Sequence, residues 1–477
     1  MSRLVIVSNR VADLRRSQQS GGLAVALADA LKARGGLWFG WSGETVDKPV
    51  EEPFVERLGT VETVALPVAR RDFSDYYAGY ANSVLWPLFH YRPDLVDYRP
   101  SYFKGYQRVN RLFARVLSRF LEPGDVIWAQ DYHLIPFAAH LRKLGCRHKI
   151  GFFLHIPFPP PELLAASPNH AELVDALLKY DLIGFQTRTD AGNFRRYVEQ
   201  HTDATVAADG AFEVEGRTVR AGRFPIGIDV ETFASMAQTP QEDVRIDTLR
   251  RHILGRRQII GVDRLDYSKG LPERMRAFDR LFALRPELEG KVSLLQIAPP
   301  TREDVDAYAQ IREELEHLTG SINGRLADFN WTPIRYIHRG VPRDKLAALY
   351  RASQIGFVTP LRDGMNLVAK EYVAAQDPED PGVLVLSQFA GAAEDMGDAL
   401  IVNPYDVDEM ARSLLQALDM PLAERQSRHR ALMKTIRRQD ARSWMRTFLS
   451  ELERPTAAPP RTNGAQADDS GRIVAMP

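Results

Sequence analysis

The sequence predicts an α/β fold made of two Rossmann-like domains, each with a doubly wound parallel sheet, facing one another across a cleft. Three observations predict it. The chain of 477 residues is too long for one ordinary hydrophobic core and suits two units of about 200 residues each. Short runs rich in β-branched and aromatic residues recur, most of them apolar without alternation, as in parallel strands covered on both faces. Segments with helical spacing separate many of these runs, and repeated strand–helix–strand order points to doubly wound sheets.

The predicted strands of the first half are residues 4–8, 126–129, 150–155 and 182–186. Those of the second half are 259–262, 292–297, 335–338, 355–358, 383–386 and 400–402. Segments 303–318 and 343–352 carry helical spacing. The stretch 223–229 contains Pro225 and Gly227, and a polar helical region around 238–257 follows it. The domain boundary is therefore placed here, giving an N-terminal domain of residues 1–235 and a C-terminal domain of 236–454. Residues 455–477 are rich in Pro, Ala, Gly and Asp, bury too little to offset ordering entropy, and read as a disordered tail.

Composition excludes several classes of function. Lys+Arg and Asp+Glu both number 62, so no global field draws in nucleic acid or an anionic membrane, and an anionic ligand must be held by a local cluster. The single cysteine, Cys146, permits no internal disulfide and no thiolate metal site, which suits a reducing, cytoplasmic setting. The apolar core of the first ten residues is too short for a signal peptide, and no apolar run approaches the ~20 residues that span a bilayer. The oligomeric state is left open, a homo-oligomer included.

Ligands of open parallel sheets bind beyond the carboxyl ends of the strands, so the residues following each strand are the candidates. The first strand ends in Asn9-Arg10, and Gly21-Gly22-Leu23-Ala24 then opens a helix. That glycine pair is either a plain turn or a close backbone approach to a phosphate at a helix N-terminus. Asp131-Tyr132-His133 ends the second strand, and His155 lies in the third. His155 taken alone reads more readily as a hydrogen-bonded core histidine than as a site residue, and no ligand spacing makes a metal site of Asp131, His133 and His155. Arg264 and Lys269 flank a turn just past a buried strand. They read either as a solvated salt-bridge turn or as two cations placed to neutralise a diphosphate leaving group.

The segment 363–371 brings a strand end, a glycine turn and a helix start to one point. There Asp363 can accept from sugar hydroxyls and Glu371, two turns into the helix, from ribose hydroxyls; the bland reading is an N-cap with an unrelated Glu.

The run Arg362-Asp363-Gly364-Met365-Asn366-Leu367-Val368-Ala369-Lys370-Glu371 resembles the signature of the trehalose-6-phosphate synthase family, retaining GT-B glycosyltransferases of glycosyltransferase family 20. Gly21-Gly22-Leu23, Trp38-Phe39-Gly40-Trp41, residues 128–133, His155-Ile156-Pro157-Phe158-Pro159 and Arg264-Leu265-Asp266-Tyr267-Ser268-Lys269-Gly270 resemble it too, over residues 2 to about 453. The resemblance implies a donor site in which Gly22, Arg264 and Lys269 hold the diphosphate. Asp363 and the backbone from Gly364 through Met365 and Asn366 to Leu367 would bind glucose and phosphates, and Glu371 the ribose. It implies that Asp131 and His155 lie near the reacting centre, and that Arg10, Tyr77, Trp86, Asp131 and Arg302 form the acceptor site, with Arg10 and Arg302 on a 6-phosphate. The implied donor is UDP-glucose and the implied acceptor glucose 6-phosphate, with no metal, no cofactor and a front-face route that retains anomeric configuration. Two rival readings stay open: a glucosylglycerol-phosphate synthase or another relative with a different acceptor, and a non-catalytic sugar-phosphate sensor.

Overall fold

A computed structural model describes residues 2–12, 27–28, 31, 35–238, 255–302 and 306–455. The expected glycine turn at 21–24, with Gly22, lies outside the described residues, as do most of the polar region after 238 and the tail beyond 455.

The strands of the first half are β1 (Leu4–Arg10), β2 (Gly36–Val46), β3 (Phe54–Leu58), β4 (Val61–Ala69), β5 (Val126–Gln130), β6 (Lys149–Phe153), β7 (Leu182–Phe185), β8 (Thr205–Val206), β9 (Phe212–Val214) and β10 (Arg217–Arg223). They form a ten-stranded sheet in the order β3-β4-β2-β1-β5-β6-β7-β10-β9-β8. Its centre is parallel, and only the margins β3, β9 and β8 run antiparallel to their neighbours. The second half contributes β11 (Arg257–Val262), β12 (Val292–Ile297), β13 (Ile334–Ile337), β14 (Ile355–Val358), β15 (Val383–Ser387) and β16 (Leu400–Val402). These form a wholly parallel six-stranded sheet, β13-β12-β11-β14-β15-β16. Central strands such as β12 (VSLLQI) and β14 (IGFV) are buried at every position, so helices on both faces are the only way to keep them dry.

Two features differ from the sequence reading. Strands β2 to β4 and β8 to β10 are not among the predicted ones. The last helix among the described residues, Ala441–Glu453, leaves the second sheet and returns to the first. Gly151 on β6 and Gly184 on β7 make that return possible, because a Cβ at either would collide with Phe448. Phe448 fills the notch and stacks on Trp128 at 4.7 Å, with Trp444 beside it. Burying such an aromatic side chain stabilises by roughly 1.5–3 kcal/mol, so this helix fastens the chain's end to the first half.

The halves meet along a seam at their strand ends. The ammonium of buried Lys370 donates to the Ile226 carbonyl at 2.7 Å. Glu394 accepts from the backbone N–H of Arg188 at 3.0 Å and of Thr189 at 3.3 Å, at the start of the helix Arg188–His201, where a carboxylate also complements the helix dipole. Arg223 pairs with both Glu394 and Asp395. Gly364 lies so near the His155 carbonyl that a side chain there would overlap it.

Candidate active site

The seam's second-half side is built by three strand ends. Past β11, Asp266 folds back over a single helical turn, its Oδ1 accepting from the N–H and hydroxyl of Ser268, both at 2.9 Å. This turn buries Lys269, and Gly270 follows at φ 63°, a left-handed conformation that only glycine adopts readily and that redirects the chain into the helix Leu271–Leu284. Past β14 the loop reaches Asp363, which is pinned from the other side by the backbone of Phe389 and Gly391.

Lys269 Nζ donates to Asp363 Oδ2 at 2.6 Å, and Asn366 Nδ2 donates to the same oxygen at 3.0 Å. Burial works against the charge on Asp363, yet the Lys269 ammonium holds its carboxyl below the usual carboxylate range. Asn366 caps the helix Leu367–Ala375, its Oδ1 accepting from Ala369 N–H at 3.2 Å. The other first-turn N–H groups of a helix have no partner within it, so together with Lys269 they are chemically able to hold an anion. Glu371, one helical turn further in, is buried and faces Arg343 at 3.4 Å, with burial raising its pKa.

Past β12 the backbone turns at Arg302, whose guanidinium is 3.6 Å from the centroid of the Trp86 ring. It donates to the hydroxyls of Tyr308 at 2.6 Å and Tyr132 at 3.1 Å and lies 3.6 Å from Asp266. Burial opposes the charge on Asp266, but Arg302, Arg264 and Lys269 together push its pKa down to about 2. Arg264, more exposed, lies 5.5 Å from the same indole.

The first half supplies an aromatic wall. Phe73–Leu85 is a π-helix, whose wide turns place Tyr77 parallel to the His133 ring at 5.8 Å and beside Trp41 at the same distance. His133 packs on Tyr132, and Tyr132 on Trp86. At the far end Arg10 lies 5.7 Å from Trp41 and against Gly43. Arg10 and Arg302 thus each rest on a ring of one continuous aromatic run.

Asp131 follows β5 at φ 75°, a costly conformation for a residue with a Cβ. Its Oδ1 accepts from His155 N–H at 3.1 Å. Burial pushes its pKa up to about 6, against the pull of those backbone bonds and of Arg302 and Arg264. His155 has its Nε2 2.9 Å from Gln130 Oε1 and its Nδ1 3.5 Å from Gln186 Nε2. An amide oxygen only accepts, so Nε2 carries the proton, and burial lowers the ring's pKa to about 3. The imidazole is a neutral, oriented group rather than a proton carrier.

Among the described residues, five without glycine's freedom have positive φ, and four of them lie along this seam: Tyr91, Asp131, Arg302 and Asn366. Tyr91 is tied to the seam through Arg362, whose guanidinium is 3.7 Å from its ring centroid. Backbone strain persists only where its surroundings over-determine it, and it concentrates at functional sites.

The structure brings Asp131, His155, Gly364, Lys269, Asp363, Asn366, Trp86, Tyr77, Arg264 and Arg302 to the seam, with Met365 and Leu367 in the loop and helix start beside them. It adds three residues to which the sequence reading gave no role: Asp266, Tyr132 and His90, whose ring lies 4.1 Å from that of Trp86. Asp266 was detectable as an Asx turn two residues before a Ser. Tyr132 sat between two flagged residues, and nothing in the sequence marks His90.

Two parallel-sheet domains that meet at their strand ends, with Lys269 and a capped helix start on one side and an aromatic wall on the other, have the architecture of a GT-B glycosyltransferase. The profile of glycosyltransferase family 20 matches residues 3–454, and the chain belongs to that family. It is 48% identical over 460 residues to a trehalose-6-phosphate synthase of Enterobacter sp. (strain 638), covering 96% of each chain. A UDP-forming α,α-trehalose-phosphate synthase from Burkholderia xenovorans, solved with glucose 6-phosphate, superposes with a TM-score of 0.90 at 51% identity, over 94% of this chain and 100% of that one. An E. coli structure bound with UDP-2-fluoro glucose superposes with a TM-score of 0.91 at 47% identity, over 95% of this chain and 100% of that one.

Proposed function

We propose that this chain transfers glucose from UDP-glucose to glucose 6-phosphate, giving α,α-trehalose 6-phosphate and UDP. The observation that carries this reading is one seam with two cationic poles, Lys269 at the capped helix start and Arg302 on the aromatic wall. A nucleotide-sugar needs the first for its diphosphate and a phosphorylated acceptor needs the second. Family membership and the ligands of the two solved relatives support the same pair of substrates.

Each residue then has a task. Residues 1–235 present the acceptor, with Arg302 reaching it from the second segment, and 236–454 hold the donor, with the helix Ala441–Glu453 docked on the first sheet. Lys269, Arg264 and the first-turn N–H groups after Asn366 take the diphosphate, with Gly22 as a further backbone contact. Asp363 and the segment Gly364 to Leu367 orient the glucose, and Glu371 receives the ribose. Arg302 and Arg10 bind the 6-phosphate, and Tyr77 and Trp86 cover the sugar face. Asp131 accepts from a hydroxyl close to the reacting carbon.

As the bond from the anomeric carbon to the diphosphate breaks, charge grows on the leaving oxygen, where Lys269 and Arg264 stabilise it most. The acceptor oxygen bonds to the anomeric carbon from the same face, and its proton passes to a leaving phosphate oxygen. Configuration is retained, and no enzyme nucleophile placed as in a retaining glycosidase takes part. Positive charge comes from side chains, so the route calls for no metal or cofactor. The single cysteine suits a reducing compartment such as the cytoplasm.

A matrix of UDP-, GDP- and ADP-glucose against glucose 6-phosphate and glycerol 3-phosphate tests the reading. Turnover with UDP-glucose and glucose 6-phosphate is the expected result. Turnover of glycerol 3-phosphate without glucose 6-phosphate would move the chain to another acceptor class, and tight binding with no turnover would make it a sensor.

A further inference from the structure

His90 is a buried titratable group to which the reaction above assigns nothing. It follows the short helix Trp86–Phe89 and is 3% exposed. Its Nδ1 lies 2.7 Å from the Trp86 carbonyl oxygen. A carbonyl can only accept, so Nδ1 carries the proton, and burial lowers the ring's pKa to about 4. The other nitrogen, Nε2, is therefore a bare lone pair. It is buried and has no hydrogen-bond partner among the described residues. A buried acceptor left unpaired costs about 1–3 kcal/mol, so such an orphan calls for an explanation.

The groups whose charges bear on His90 are Asp266, Lys269 and Asp363, all from the second half. Asp266 and Asp363 are acceptors at neutral pH and have nothing to offer a lone pair. Lys269 does. An ammonium has three N–H bonds, and only one, to Asp363, has a partner among the described residues. Lys269 is itself buried, so its two remaining donors need acceptors. One is the diphosphate oxygen, on the reading given above.

We propose that His90 Nε2 is the other acceptor: on substrate binding the seam tightens and His90 takes a hydrogen bond from the Lys269 ammonium. Lys269 is then fixed between Asp363 in its own half and His90 in the opposite half. Its third N–H is aimed at the diphosphate. His90 is a positioning residue, acting through Lys269. The inference rests on the donor-phosphate role of Lys269. It adds that a residue of the acceptor-side half completes the donor site, so the lysine is fully oriented only when both halves are engaged. The Trp86 ring, 4.1 Å from that of His90 and 3.6 Å from the Arg302 guanidinium, joins the device to the acceptor wall.

Two substitutions separate the ring's two nitrogens. His90→Asn keeps a donor near the position of Nδ1 and deletes the Nε2 acceptor. His90→Gln places an amide oxygen near the position of Nε2. Turnover would be followed with UDP-glucose and glucose 6-phosphate, after confirming that wild type makes trehalose 6-phosphate; failure of that control sinks the functional reading rather than this one. The expected result is a fall in kcat of about tenfold or more for His90→Asn, the scale of one charge-assisted hydrogen bond, with little change in KM for glucose 6-phosphate. His90→Gln should recover most of it. Equal losses in both variants, or none in either, would overturn the proposal in favour of packing alone.

Wild-type enzyme carrying 15N-histidine supplies a second reading that needs no variant. The His90 Nε2 resonance should be that of an unprotonated nitrogen at neutral pH. It should move toward the hydrogen-bonded range when UDP and glucose 6-phosphate are added together. A protonated Nε2, or no movement with both ligands bound, contradicts the inference.

Discussion

Replacing Asp131 by Asn should stabilise the fold while disabling the site. The Asp131 carboxyl is pushed from its ordinary value of 3.8 up to about 6, chiefly by burial. Each pKa unit is about 1.4 kcal/mol, so at neutral pH its ionised form weighs against folding by roughly 3 kcal/mol. Because the folded value is the higher one, the stability it contributes is complete below about pH 4 and is lost as pH rises through about 6. The replacement amide has no charge to desolvate, its oxygen can still accept from His155 N–H, and Asn tolerates the positive φ better than most residues. The assay is thermal melting of both proteins between pH 5 and 7.5. The Asp131→Asn variant should melt higher, and the gap should widen with pH by about 1–1.5 kcal/mol, an order-of-magnitude figure, between pH 5 and 7. Its kcat should fall by about 10² or more, the scale of a lost electrostatic contact to the reacting centre. A gap that is constant with pH, or a variant less stable at pH 7.5, would refute the claim that ionised Asp131 is a liability held for function.

Gly364→Ala should cut turnover far more than it lowers Tm, because its methyl overlaps the His155 carbonyl and must push the halves apart; full activity would mean the seam is not closed during reaction. Glu394→Gln removes a charge shared by Arg223 and the N–H groups of Arg188 and Thr189. It should raise KM for both substrates together by loosening the seam, and an effect on one substrate alone would contradict that. Turnover should be unchanged by a chelator, since the positive charge at the site is supplied by Lys269, Arg264 and Arg302; a rate that fell with chelator and returned with a divalent metal would show otherwise.

The second sheet was the more legible half. Its inner strands β11, β12, β14 and β15 are buried almost throughout, so their sequences are apolar runs that announce themselves, and the six predicted runs overlap β11 to β16. In the first half the marginal strands gave no such signal. All five residues of β3 are exposed, and β2 mixes Gly36, Gly40 and Gly43 with its aromatics. The return of 441–453 to the first sheet was hidden for a different reason. An amphipathic stretch shows that it has an apolar face and not which surface receives it, and here the receiver is a notch defined by the absent side chains of Gly151 and Gly184.

The seam's lining was readable where charged residues stand just past a buried strand, as at Arg264, Lys269 and Asp363. It was unreadable where meaning comes from environment. The state of His90 follows from one carbonyl and from burial, and Asp266 stays ionised because three cations converge on it. Neither fact is a property of neighbouring letters.

The division of labour between the two poles is open to one crossed experiment: calorimetric titration of UDP and of glucose 6-phosphate, separately, into wild type, Lys269→Gln and Arg302→Gln. Lys269→Gln should weaken UDP by about 1.5–3 kcal/mol and spare glucose 6-phosphate, and Arg302→Gln should do the reverse. If both variants weakened the same ligand, or each weakened the other's, the two cations would not be serving two different phosphates.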